Sequence, residues 1–107
     1  FFSASVGSIT DNRTGGWYSY RASKSSLNMM VKNFSIELGR YNKKLVVIGL
    51  HPGTVDSHLT QPFQKNLEDS KIFSADFCVL KLSSVIDSLD INDSGKCIAW
   101  DGEDILP

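Results

Sequence analysis

The chain is poor in the residues that build several kinds of protein. Its two cysteines, Cys78 and Cys97, are too few for a disulfide framework and stand at no metal-ligand spacing. They read as buried, reduced thiols of a cytoplasmic protein. His51 and His58 are not spaced with any carboxylate pair for a metal, so both read as structural or loop residues. Neither sign of charge is in excess. With 11 basic against 12 acidic side chains the net charge is −1, which leaves no basic surface for nucleic acid or an anionic membrane. The longest apolar run, Leu45 to Leu50, is far too short to span a bilayer, and no secretory signal is visible. No Gly-x-Gly-x-x-Gly occurs, so the usual cradle for a dinucleotide's pyrophosphate is missing. Repeats and low-complexity segments are absent too. What remains is an ordinary 41% hydrophobic content on 107 residues, enough for one domain with a modest core.

The apolar pattern alternates between strand and helix. Phe1 to Val6 reads as the end of a strand, followed by a Gly/Asn/Asp/Thr-rich loop from Gly7 to Gly16. Trp17 to about Leu38 reads as a long helix, stopped by Gly39 beyond its last turn. Leu45 to Leu50 is a continuous, β-branched apolar run, as expected of a parallel strand buried on both faces. His51 to Phe73 is a long polar connection containing Pro52 and Pro62, too long to be idle. Ser74 should cap a second helix with Asp76 in its first turn, and Ala75, Cys78, Leu82, Val85, Ile86 and Leu89 form its apolar stripe. Lys96 to Trp100 reads as a last short strand. Such an order predicts an α/β fold of about three adjacent parallel strands covered by two main helices. On the first helix Leu27, Met30, Phe34 and Leu38 make one stripe, expected to face the sheet, while Met29 and Ile36 lie off it. These two point either to a second copy of the chain or to another part of the same subunit.

Tyr20 and Lys24 carry the chemistry. Four residues apart near the start of an amphipathic helix, they lie on one face, a turn from each other. A free phenol titrates near about 10 and is a poor acid at neutral pH, but a neighbouring ammonium stabilises the phenolate. The pair therefore suits proton transfer. Tyr18 is the competing phenol, yet Ala22 occupies the matching position on its face. Alone, a Tyr-x-x-x-Lys is a weak motif.

Its surroundings sharpen it. The run Ser3-Ala4-Ser5-Val6-Gly7-Ser8-Ile9, then Gly15-Gly16-Trp17-Tyr18-Ser19-Tyr20 and Lys24, resembles the catalytic half of a short-chain dehydrogenase/reductase. His51-Pro52-Gly53-Thr54-Val55-Asp56-Ser57 is similar to that family's nicotinamide loop, and Asp93 to Gly102 to its short C-terminal ending. The wording is closest to the carbonyl-reductase branch. The resemblance implies that residues 1–107 form the C-terminal half of one Rossmann-like, doubly wound parallel sheet, without the N-terminal nucleotide-binding half. It further implies an NAD- or NADP-dependent oxidoreductase acting on a small carbonyl or alcohol. In that pattern Tyr20 exchanges the substrate proton, and Lys24 stabilises the phenolate and holds the nicotinamide ribose. Pro52, Gly53, Thr54 and Val55 lie against the nicotinamide, with Gly53 admitting close backbone approach. Ser57 stands where the family has a carboxamide-binding threonine. The helix at 17–38 is the family's homo-oligomer contact.

One position departs from the pattern. The family's active-site serine stands three residues before a glycine, and counting back from Gly7 gives Ala4. Ser3 and Ser5 flank it, and Ser3 is the first candidate to replace it, although successive strand residues point to opposite faces. Loss of one oxyanion donor typically costs about 10²–10³ in rate. An alternative reading follows, in which the fold serves as a non-catalytic or signalling interaction module.

Two outcomes are expected of the 107-residue chain by itself. Calorimetric titration with NAD(H) or NADP(H) should be flat, and sub-millimolar binding of either would mean that the cofactor site has been misassigned. An apolar strand edge at Phe1 to Val6 without an inner neighbour should recruit other strands. Light scattering should therefore report self-association, whereas a monodisperse, cooperatively melting species would count for an autonomous domain.

Overall fold

The computed structural model, which describes residues 1–107 apart from the side chain of Asn66, bears out the α/β reading with its two helices and two small sheets, one mixed and three-stranded, the other a parallel pair. The strands are β1 (Gly49–His51), β2 (Thr54–Val55), β3 (Ile72–Phe73), β4 (Cys97–Ala99) and β5 (Asp104–Ile105), and the helices are α1 (Tyr18–Tyr41) and α2 (Ala75–Ser88). β1 and β4 run parallel, with Gly49 opposite Cys97, Leu50 opposite Ile98 and His51 opposite Ala99. On the other side of β1, Phe2 makes a parallel bridge with Leu50, closed by Ser3 N–H to the Leu50 carbonyl and Leu50 N–H to the Phe1 carbonyl, both at 2.7 Å. Three chain segments are thus parallel neighbours.

The extents differ from expectation. Phe1 to Val6 keeps only that bridge, because the chain winds into a 3-10 turn at Ser5–Gly7. β5 was not anticipated. It folds back antiparallel on β4 through a turn at Gly102, whose N–H donates to the Ala99 carbonyl at 2.9 Å. The connection from His51 to Phe73 is not irregular either. It holds β2 and β3, paired parallel as Thr54 with Ile72 and Val55 with Phe73, and a 3-10 segment at Gln61–Asn66 between them.

The two sheet faces are covered differently. Ser74 caps α2 as expected, its hydroxyl accepting from the Phe77 N–H at 3.2 Å. Cys78, Leu82 and Val85 then form one buried stripe against Ile48, Leu50 and Ile98. Ile86, assigned to that stripe, is half-exposed because it sits about 100° further round the helix. On α1 the correction is larger. The buried residue is Val31, while Met30, Phe34 and Leu38 are exposed. The face turned inward is small and polar, with Ser25 and Asn28 bonded to the Gly7 carbonyl and the Ser3 hydroxyl. α1 also runs through Gly39 to Tyr41, so that glycine does not end it.

Opposite effects are expected at two glycines. A Cβ at Gly39 would meet nothing within 4 Å, so Gly39→Ala should stabilise by ~0.5–1 kcal/mol through helix propensity. A Cβ at Gly7 would lie 2.9 Å from the backbone and Cβ of Lys24, so Gly7→Ala should destabilise by ~1–3 kcal/mol. Denaturant midpoints of the two variants check this, and the reverse order would refute the packing described.

Candidate active site

In a parallel sheet the carboxyl ends of the strands share one edge, where loops can converge. The turn at Ser5–Gly7 and the segment after His51 both leave from that edge, and α1 begins there. The close approach at Gly7 fixes α1 on this turn. Ser25 Oγ donates to the Gly7 carbonyl at 2.7 Å, and Arg21 reaches the carbonyls of Val6 (3.3 Å) and Gly16 (3.1 Å) and the Thr14 hydroxyl (3.0 Å). The first turns of the helix are thereby tied to the strand end and to the glycine-rich loop together.

Tyr20 and Lys24 lie on these turns. The Lys24 Nζ donates to the Phe2 carbonyl at 3.0 Å and stands 5.8 Å from the centre of the Tyr20 ring, within reach of a cation–π contact. Tyr20 is 43% exposed, so its face is open to solvent. An ammonium has three N–H donors, and the one bond to Phe2 leaves two for a bound group.

The residues around Ala4 are placed quite differently from one another. Ser3 is buried, and its Oγ donates to Asn28 Oδ1 at 2.5 Å beneath α1. It also faces Cys97, whose thiol is pushed up by burial, with Ser3 and the N-terminal ammonium pulling the other way. Ala4 is buried in extended backbone, and Ser5 is exposed at the head of the 3-10 turn. Ser3 is engaged on the helix side of the sheet, whereas Ser5 has an exposed position.

The segment from His51 to Ser57 rests on an aromatic cluster. Gly53 has φ 77°, and a Cβ there would fall 2.6 Å from the Phe73 ring and 3.1 Å from that of Trp100. Glycine at this position is thus demanded by packing beneath the loop, a reason the sequence does not display. Phe73, Phe77 and Trp100 meet at tilted or edge-to-face angles with ring centres 4.6–5.9 Å apart. The Cys78 thiol, raised by burial, points at the Pro52 carbonyl at 3.7 Å. Thr54 and Val55 are held in β2. Beyond them Thr60 acts as a hub: its Oγ1 donates to the Val55 carbonyl at 2.5 Å and accepts from Ser57 N–H and Gln64 Nε2, both at 3.1 Å. Ser57 is exposed, its own hydroxyl 3.3 Å from that of Thr60.

Sequence reasoning missed Trp17, Phe63 and Thr60. The Trp17 ring lies edge-on to Tyr20, with centres 6.5 Å apart, and 5.9 Å from Phe63 of the 3-10 segment. Nothing in the spacing of Trp17 and Phe63 announces that contact. Among the described residues no group of His, Cys, Asp and Glu could hold a metal, and no helix is long and apolar enough to cross a membrane.

Comparison with known proteins bears on the fold and the sequence as a whole. The carbonyl reductase Sniffer of D. melanogaster superposes with a TM-score of 0.82 at 28% identity, over 99% of this chain and 39% of that one. An NADPH-bound carbonyl reductase from chicken fatty liver gives a TM-score of 0.82 at 29% identity, over 99% of this chain and 41% of that one. C-signal of Myxococcus xanthus is 33% identical over 94% of this chain and 55% of its own length. No protein-family profile matches. The chain spans 25% to 55% of the lengths of the curated relatives that it matches. Fold and sequence together are similar to those of short-chain dehydrogenase/reductases, and the resemblance read from the sequence is borne out. Within that class the chain is similar to the sniffer-type carbonyl reductases.

His51, at the end of β1, supplies a pH test. Burial holds its imidazole below the ordinary value, with Asp101 pulling upward, and its Nδ1 is buried without a partner. The unfolded chain therefore takes up this proton first as pH falls below about 6.5. The stability that neutral His51 contributes is whole above that pH and is lost progressively below it, down to the folded-state pKa. Denaturant midpoints from pH 7 to 5 should fall less steeply in His51→Asn than in the unaltered protein. Parallel profiles would show that His51 does not titrate with folding.

Proposed function

We propose that this chain carries the proton-transferring site of an NAD(P)-dependent oxidoreductase that reduces a carbonyl or oxidises an alcohol. The observation that carries the reading is the placement of Tyr20 and Lys24 on adjacent turns at the carboxyl edge of the sheet, with the Lys24 ammonium beside the phenol ring. The Tyr20 hydroxyl gives its proton to the substrate oxygen in reduction and takes it back in oxidation. Lys24 stabilises the phenolate that is left, and its two remaining donors suit ribose hydroxyls. Pro52, Gly53, Thr54 and Val55 would line the nicotinamide, and the exposed Ser57 hydroxyl would meet its carboxamide. When bound, NAD or NADP supplies or accepts the hydride. The relative solved with NADPH supports a nicotinamide cofactor without choosing between the two. No Gly-x-Gly-x-x-Gly is available here for the pyrophosphate, so the residues present fit the nicotinamide end of the cofactor and not the rest.

Exposed Met29, Met30, Phe34, Ile36 and Leu38 on α1 support a homo-oligomer through this helix. Two free, buried thiols fit a reducing, cytoplasmic setting. A second reading, an interaction or signalling protein, is favoured by one observation: Ala4 stands where an oxyanion donor belongs, in a chain similar to C-signal.

Kinetics of the complete enzyme separate the two. Tyr20→Phe should lower kcat by at least about 10²-fold with the fold intact, and Lys24→Met should raise the cofactor KM as well as lower kcat. Retention of more than about a tenth of kcat in Tyr20→Phe would assign the proton to another group. Ala4→Ser should raise kcat/KM, by up to about 10²-fold for a well-aimed hydroxyl. An unchanged rate in Ala4→Ser, with a large loss in Ser5→Ala or Ser3→Ala, would mean that a flanking serine already serves.

A further inference from the structure

Trp17 is the only non-glycine residue with positive φ, 48°, among the described residues. A bulky side chain is strained there, and such strain persists where surrounding contacts hold it. Neither burial nor capping explains the ring, because Trp17 is 58% exposed and its side chain makes no cap hydrogen bond to α1. Gly15 and Gly16 immediately before it adopt the same backbone region without strain, so the loop has glycines at hand and still places tryptophan third. What the ring does is touch Tyr20 on one side and Phe63 on the other. Phe63 belongs to the Gln61–Asn66 segment, which Thr60 and Gln64 tie to Val55, Asp56 and Ser57. A continuous path of contacts therefore runs from the segment after Pro52 to the Tyr20 phenol, and Trp17 is its last link.

The geometry points to Trp17 as a positioning residue that sets the Tyr20 phenol against the segment from Val55 to Phe63, across the space a carbonyl substrate would enter. This rests on the proposed role of Tyr20. Glycine at position 17 would release the strain and remove the ring, so stability and activity should move apart. In the complete enzyme Trp17→Gly should leave the denaturant midpoint unchanged or raised. It should lower kcat/KM for the carbonyl substrate by about tenfold or more, since small misplacements of a reacting group cost that much. The cofactor KM should stay constant. Trp17→Phe, which keeps a ring, should recover most of the loss. Phe63→Leu should match Trp17→Gly, and the double variant should be no worse than either single one, because both break one link.

A Trp17→Gly enzyme within about twofold of the unaltered kcat/KM would overturn the inference. So would losses that multiply in the double variant, or a cofactor KM that rises in step. If Trp17→Gly does not fold, Trp17→Phe and Phe63→Leu decide between the same outcomes. Tyr20→Phe measured alongside separates the two levels. An inactive Tyr20→Phe with active Trp17 variants sinks this inference alone, and an active Tyr20→Phe removes both.

Discussion

The contact on which the rest depends is the approach of α1 to the turn at Ser5–Gly7. A helix can come this near only if the facing residue has no side chain, and Gly7 has none. Around that gap Ser25, Arg21 and Lys24 donate to backbone carbonyls of Gly7, Val6 and Phe2, and Ser3 donates to Asn28. Each bond satisfies a polar group that the close packing would otherwise strand. Four side chains in two to three turns of one helix thus fix its rotation as well as its distance. That rotation is what turns Tyr20 and Lys24 toward the carboxyl edge of the sheet. Apolar packing alone would specify it less sharply, because a greasy stripe tolerates sliding and a hydrogen-bond pattern does not.

The two faces of the sheet divide the labour. α2 covers one with a dry cluster of Ile48, Leu50, Cys78, Leu82, Val85 and Ile98, which supplies most of the burial. The other face is narrower and more polar, and Val31 is its one deeply buried helix residue. The outer side of α1 consequently keeps Met30, Phe34 and Leu38 in solvent, with Phe34 partly covered by the stacked ring of Phe1 at 5.8 Å. The aromatic cluster under Gly53 belongs to neither face. It props the loop after β1 from below, and Thr60 ties the same loop together further along.

Much of this was legible from residue order. The Ser74 cap, the alternation of strands and helices and a parallel strand at the end of the Leu45 to Leu50 run, which the structure confines to Gly49–His51, follow from local chemistry that any reader of the chain can apply. Tyr20 and Lys24 share a helix, so their proximity follows from spacing alone. Legibility fails where a role depends on a partner distant in sequence. The helix face that packs inward was misread because its decisive residues, Ser25 and Asn28, are polar and pair with Gly7 and Ser3. At Gly53 the packing need for glycine, set by the Phe73 and Trp100 rings beneath the loop, was invisible in the sequence. β5 is only two residues long, which leaves no periodicity to detect, although Asp101-Gly102 before it is a turn signal. The serine question lies between these cases. Ala4 was evident from counting, but only the fold distinguishes a buried, bonded Ser3 from an exposed Ser5.

Parallel pairing also orders events in time. Phe2 must find Leu50, and Leu50 must find Ile98, each closing a loop of about fifty residues before any contact repays the lost chain entropy. α1, 24 residues long, and α2, 14 residues long, need only local contacts and relax in about a microsecond or less. Helices therefore form and dissolve many times before the sheet closes. Tyr20 and Lys24, one turn apart on α1, acquire their mutual geometry in that early phase. Everything they act with (the strand end at Ser5, the loop at Pro52, the rings of Trp17 and Phe63) is assembled around them later, when the slow, long-range step completes.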